Sequence, residues 1–272
     1  MPLTPLVLSP ALPSELLTYI LDHHVYPTTL IVCFPRTDFL DALARGIEHQ
    51  TGIHEHQPPL AAGSSGQPLD DVPPEGLPPP QQTHAPNHQL LSSPLYQVAI
   101  SRHVRTVFIP TVTHLRAYLS VFSPDASKIP APPSDFAPVG RRPPHLLVYG
   151  AVELHRDTSE WSAQGLGSTA AALVETGHRL GWRVVLAEPP GQLDDSMMAD
   201  EDEQRAGDAD AFAQLLKENM PILSGSVRRL GLDGEQGGGW SGRTVEVGRV
   251  LSRWFRFQRG DWNDYRDDNF PK

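Results

Sequence analysis

Four short apolar runs constrain this chain more than any other feature: TLIVCF (29–34), VRTVFIP (104–110), HLLVY (145–149) and WRVVLA (182–187). Each is too short for a core helix and reads as a strand buried on both faces. Helical patterns alternate with them. Ser14 to His24 is a helix with Ser14 as N-cap, and it precedes the first run. After that run Thr37 caps DFLDALARGIEHQ, whose Phe39, Leu40, Leu43 and Ile47 share one face. Tyr96 to Arg102 ends a helix before the second run. Thr113 to Phe122 follows it, with Leu115, Tyr118, Leu119 and Phe122 inward. Ser162 to Leu180 is a long helix stopped by Gly181, and Ala211 to Met220 is a further one. Alternating strands and helices predict a mostly parallel sheet with helices on both faces, joined by right-handed crossovers.

Three stretches interrupt this pattern. Residues 57–94 are dominated by Pro, Gly, Ser and Gln and carry no hydrophobic period, so they are expected to be disordered. Residues 123–144 form a Pro-rich loop whose KIPAPP and GRRPP read as a linker or a polyproline II ligand. Residues 189–210 form an acidic loop containing DDSMMADEDEQ. The 28 prolines are about twice the usual share, which fits one domain spanning 1–272 diluted by such insertions.

The net charge of −10 argues against a generally basic nucleic-acid binder and leaves room for a local basic patch. Cys33 is the only cysteine, so no intrachain disulfide forms, and a reducing nuclear or cytoplasmic location fits. Residues 1–13 lack the charged start of a secretory signal, and no apolar run approaches a membrane span of about 20 residues.

The strand ends carry little chemistry. TLIVCF runs into PRTDFLDAL, with no glycine or lysine to cradle a phosphate, and Pro35 lacks an amide. HLLVY ends in Gly150 and Ala151 where a metal site would place an aspartate, and Glu153 is the nearest acid, a solvated loop residue or a Mg²⁺ ligand. The glycines of GLGSTAAALVETG (165–177) follow no strand, so close helix packing explains them better than dinucleotide binding. His49, His54 and His56 cluster without a CxxC partner and read as a surface loop. His155, Asp157 and Ser159 lack a nucleophile turn, and Asp157 or Thr158 as a helix N-cap is the simpler reading. Cys33, inside an apolar strand, reads as a buried thiol. No cofactor or metal site and no small-molecule substrate are expected.

The tail has a different character. SGSVRRLGL followed by GRTVEVGRVLSRWFRF alternates like antiparallel β-strands. Arg249, Arg253, Arg256 and Arg259 are interleaved with Trp254, Phe255, Phe257 and Trp262. Arginines reach phosphates and aromatic rings stack on bases, which suits nucleic acid. Trp254 among arginines equally suits a protein partner. On a strand, Phe255 and Phe257 would face the core with Arg253, and Trp254 and Arg256 would face out.

The order of these elements, from the first strand through PTVTHLRAYL, HLLVY and RVVLAEP to the closing hairpin, resembles the RecA-like recombinase core over roughly 14–50 and 95–260. Without nucleotide motifs, the chain is similar to the degenerate, ATPase-dead paralogues of Shu-complex type. The resemblance implies a RecA-like fold and a non-catalytic accessory role in DNA repair and homologous recombination. It implies hetero-oligomers with a related subunit and contact with fork or single-stranded DNA. Two alternatives stay open: an ATPase-dead scaffold subunit of an Elongator-type tRNA-modification complex, and an α/β enzyme with a site near Glu153, His155 and Asp157.

Overall fold

The computed structural model describes residues 3–23, 25–51, 88–92, 94–124, 129–130, 143–190, 212–223, 243–258 and 260. Much of 57–94, 123–144 and 189–210 lies outside them, as does SGSVRRLGL of the expected hairpin, and those readings lie there too; the end of 57–94 is the exception, since Gln89–Ser92 is helical where disorder was expected.

Six strands form one parallel sheet in the order β3-β2-β4-β5-β1-β8. They are β1 (Leu6–Leu8), β2 (Thr28–Val32), β3 (Val104–Phe108), β4 (His145–Tyr149), β5 (Arg183–Ala187) and β8 (Arg256–Gln258). Four of them are the apolar runs of the sequence. Every residue of β2 and β4 is buried, as a strand covered on both faces requires. α1 (Pro13–His23) and α2 (Arg36–Thr51) cover one face. The core there holds Leu16, Ile20, Leu30, Phe39, Leu147 and Tyr149. α5 (Val112–Ser120) and α6 (Ala163–Leu180) cover the other, over Ile31, Leu115, Leu119, Leu146, Val148 and Leu173. α1 and α2 carry the chain toward β3, whereas α5 and α6 carry it toward β8. Crossovers of one hand therefore put the two pairs on opposite faces.

The helix ends follow from local chemistry. Ser162 Oγ accepts from the Gly165 amide at 2.9 Å and starts α6, so Ser162 is the cap in place of Asp157 or Thr158. Gly181 ends α6 in the left-handed region at φ 67°. Gly177 explains the small-residue pattern: a Cβ there would lie 2.3 Å from Val184 Cγ2, so the helix sits hard on β5. Ser14 and Thr37 do not cap. Ser14 lies inside α1, and Glu15 Oε2 instead accepts the Leu12 amide at 2.8 Å. Thr37 lies inside α2 and bonds Asp38. Leu40 is 44 % exposed, off the inward face expected of it.

The tail departs most from expectation. Residues 212–217 form α7, and Met220 belongs to the strand β6 (Asn219–Pro221). β6 pairs antiparallel with β7 (Thr244–Glu246), a two-stranded sheet separate from the main one. Val247–Leu251 is helical, α8, with Val247, Val250 and Leu251 buried. Residues 252–254 turn, and β8 then joins the main sheet parallel to β1. Two short helices, α3 (Gln89–Ser92) and α4 (Leu95–Ser101), precede β3. Among the described residues no helix is long and apolar enough to cross a membrane.

Candidate functional site

In an open parallel sheet, ligands bind outside the carboxyl ends of the strands, where neighbouring strands send the chain in opposite directions. Here that point lies between β2, which leaves toward β3, and β4, which leaves toward β5. The protein fills it with its own groups. Gly150, directly after β4, has φ 80°. A Cβ on it would lie 2.2 Å from Phe34 Cε2, so the Phe34 ring rests against the backbone in the crevice between the two strands. Phe34 and Phe39 both meet Tyr149 edge to face, with centroids 5.8 and 6.0 Å away. The Tyr149 hydroxyl donates to the Ala11 carbonyl at 2.7 Å and ties β4 to the β1–α1 turn.

The amides of that turn are committed. The Ser9 amide donates to Gln258 O, that of Ala11 to Glu188 O and that of Leu12 to Glu15 Oε2. Pro10 and Pro13 have no amide. A phosphate cradle needs several converging free amides, and the groups here are already committed.

Glu188 closes the end of β5. Its carboxyl is 1 % exposed and accepts the amides of Val152 at 2.9 Å and Glu153 at 3.3 Å. Burial outweighs those hydrogen bonds and pushes its pKa up to about 8. The same burial, followed by the charge of Glu188, pushes the Cys33 thiol up, consistent with a buried thiol. Burial likewise raises the Tyr149 phenol. Glu188 was not among the residues expected here. Its signal was an acid directly at the end of an apolar strand, and its role depends on amides from a different strand's loop.

Above this floor lies a cleft of about 910 Å³. Arg45, Glu153, Arg156, Phe212, Lys217 and Glu218 are among the residues that line it. Arg156 holds Glu218 at 2.9 Å and Glu153 at 3.0 Å and lies over the Trp161 ring at 5.2 Å. Glu153 therefore reaches the cleft as half of an ion pair.

The three residues read as an enzyme site do not converge. His155 is fully buried; one ring nitrogen lies 2.7 Å from the Ala151 carbonyl and the other 2.9 Å from Thr169 Oγ1 on α6. Burial lowers its pKa. Asp157 sits at φ 60° in the following turn. Among the described residues no group of three His, Cys, Asp or Glu side chains could hold a metal ion, and His54 and His56 lie outside them.

The arginines of the tail fall around α8 and β8. Arg249, Arg253 and Arg256 are exposed, and none forms an ion pair among the described residues. Arg259 and Trp262 lie outside them. Trp254 is 37 % and Phe257 39 % exposed, and Phe255 is buried. The expected split of Phe257 from Arg256 holds, whereas Phe257 is partly exposed in place of core and the alternation does not extend to 253 and 254. Residues 253 and 254 belong to a turn, so strand alternation does not govern them. Register also pairs Phe257 with Val7, on the α5–α6 face, and Arg256 with Leu6, on the α1–α2 face. Phe257 thus points to the side that carries α8, and Arg256 to the opposite side.

A scan against protein-family models, a search of curated proteins and a search of solved structures each found no match to this chain.

Proposed function

We propose that this chain is a non-catalytic, pseudo-ATPase subunit of a DNA-repair or homologous-recombination accessory complex, working by binding in the nucleus or cytoplasm. In this reading the sheet is a degenerate RecA-like core, a related subunit is the protein partner, and fork or single-stranded DNA is the nucleic-acid partner. The observation that carries the reading is the contrast between the two places where function would sit. The crevice at the strand ends is taken by Phe34 and by committed amides, whereas Arg249, Arg253 and Arg256 stand exposed without acidic partners among the described residues. Exposed cations beside the exposed Trp254 ring suit a phosphate backbone and an unpaired base.

The test is fluorescence anisotropy of the purified chain with single-stranded and forked oligonucleotides across a salt series. Binding whose logarithm falls linearly with the logarithm of salt supports the reading. Binding indifferent to salt, or magnesium-dependent ATP turnover by the same preparation, removes it. A tRNA-modification complex as the co-purifying partner would shift the assignment to the Elongator-type scaffold.

A further inference from the structure

The helix α4 is inside out. Its Gln97 is 4 % exposed, while Leu95 is 89 %, Tyr96 47 % and Val98 38 % exposed. Leu91, one turn earlier on α3, is 52 % exposed. A surface helix ordinarily buries its apolar stripe, and an exposed stripe beside a buried amide marks a surface made for contact. α4 packs on α1, on the α1–α2 face, and runs directly into β3. β3 is an edge: among the described residues β2 is its only neighbour.

The edge has a defined register. The Ile109 amide donates to Val32 O, so Val107 and Arg105 also direct their backbone groups at β2. The amides and carbonyls of Val104, Thr106 and Phe108 therefore face outward. That set is symmetric about Thr106. A second β3 running antiparallel across a two-fold axis at Thr106 would pair Thr106 with Thr106, and Val104 with Phe108, each pair exchanging both hydrogen bonds. Three residues of each chain would be satisfied with no shift of register.

The surroundings match as well. A two-fold axis normal to the sheet keeps each face on its own side. It brings the start of one β3, with α4 and the exposed Arg102, beside the end of the other. There Phe39 meets Phe108 at 5.8 Å, which places the first turns of α2 at that end. Those turns expose Asp38, Leu40 and Asp41. Apolar α4 would meet Leu40, and Arg102 would meet the two aspartates.

We infer that the β3 edge and α4 form an interface between two copies of this chain, joined by antiparallel β3 pairing into a continuous twelve-stranded sheet. This is independent of any nucleic-acid role. The test is sedimentation equilibrium of the full chain from low to high micromolar concentration, with two variants. Thr106→Pro removes an outward amide that the sheet itself does not use, a position where edge strands accept proline. Leu95→Asp places a charge on the apolar stripe without touching the strand. The wild type is expected to dimerise, and each variant to weaken the dimer by about tenfold or more while keeping the wild-type circular dichroism spectrum. If Thr106→Pro alters the fold, Leu95→Asp carries the test by itself. A wild-type chain that stays monomeric throughout overturns the inference, and so does a dimer that Leu95→Asp leaves unchanged.

Discussion

Among the described residues the sheet has two edges, β3 and β8, and they are built for different company. At one end β3 has five residues, apolar neighbours and three outward amides in symmetric register. At the other, β8 has three residues, and arginines surround it. An open strand edge is an aggregation hazard unless it is short, charged or covered. β8 is both short and charged, so repulsion between like edges keeps it from pairing with its own kind. β3 is longer and carries a single charge, Arg105, whose backbone groups face β2, so its outward row of amides is less protected than that of β8. One sheet thus separates a short, arginine-rich margin from a longer one flanked by the exposed apolar residues of α4.

The largest effect that could break this contrast is charge reversal on one edge alone. Arg249→Glu, Arg253→Glu and Arg256→Glu together should lower oligonucleotide affinity on the order of a hundredfold at low salt and reduce the salt slope by roughly 2, about 0.7 for each lost phosphate contact on a single strand. Sedimentation should show the oligomeric state unchanged. If the triple variant changes the oligomeric state and leaves DNA binding intact, the two edges have been assigned the wrong way round.

A change in the shared centre should move both edges together. Gly150→Ala forces a Cβ against the Phe34 ring and imposes φ 80° on a residue that resists it. The expected cost is about 2 kcal/mol of folding stability, read from urea denaturation. The Phe34→Ala/Gly150→Ala double variant should recover part of that cost relative to the sum of the singles. Additive losses would mean that the ring does not press on Gly150.

A smaller change sharpens the cationic edge itself. Trp254→Ala removes a ring exposed beside Arg253 and should cost about 1–2 kcal/mol in binding to single strands. It should cost much less with blunt duplex, whose bases are stacked on each other. Equal losses on both would assign Trp254 to shape or packing in place of stacking.

How far the sequence exposed all this depended on whether a feature is local. β2, β4 and β5 were legible because burial on both faces leaves an unbroken apolar run. β1 was not: Leu6–Leu8 sits between Pro5 and Pro10, and three residues show no period. Its strand character comes from β5 and β8 on either side. The run VEVGRVL alternates from Val245 to Val247, yet Val247, Val250 and Leu251 also fit one helical turn, and packing against α6 decided for the helix. The tail arginines were visible as a group in the sequence, but their faces depended on where the turn gives way to strand. Phe34 and Glu188 were out of reach, since each acts on a residue brought alongside by the sheet order.

Glu188 gives the most diagnostic effect, because it tests the seal without touching either edge. Its folded pKa, about 8, lies above the ordinary carboxyl value of 4.5. Between those values the folded chain keeps a proton that the unfolded chain releases. Its contribution to stability is therefore complete below about pH 4.5, declines as pH rises, and is lost once pH passes the folded value. The slope is at most about 1.4 kcal/mol per pH unit, superimposed on the other titrating groups. Glu188→Gln keeps an acceptor for the Val152 amide and carries no titrating proton, so the decline between pH 6 and 8 should flatten relative to wild type. Matched urea denaturation at pH 6, 7 and 8 reads the difference. Parallel curves for the two proteins would mean that Glu188 is already ionised at pH 6, with the Val152 and Glu153 amides outweighing burial.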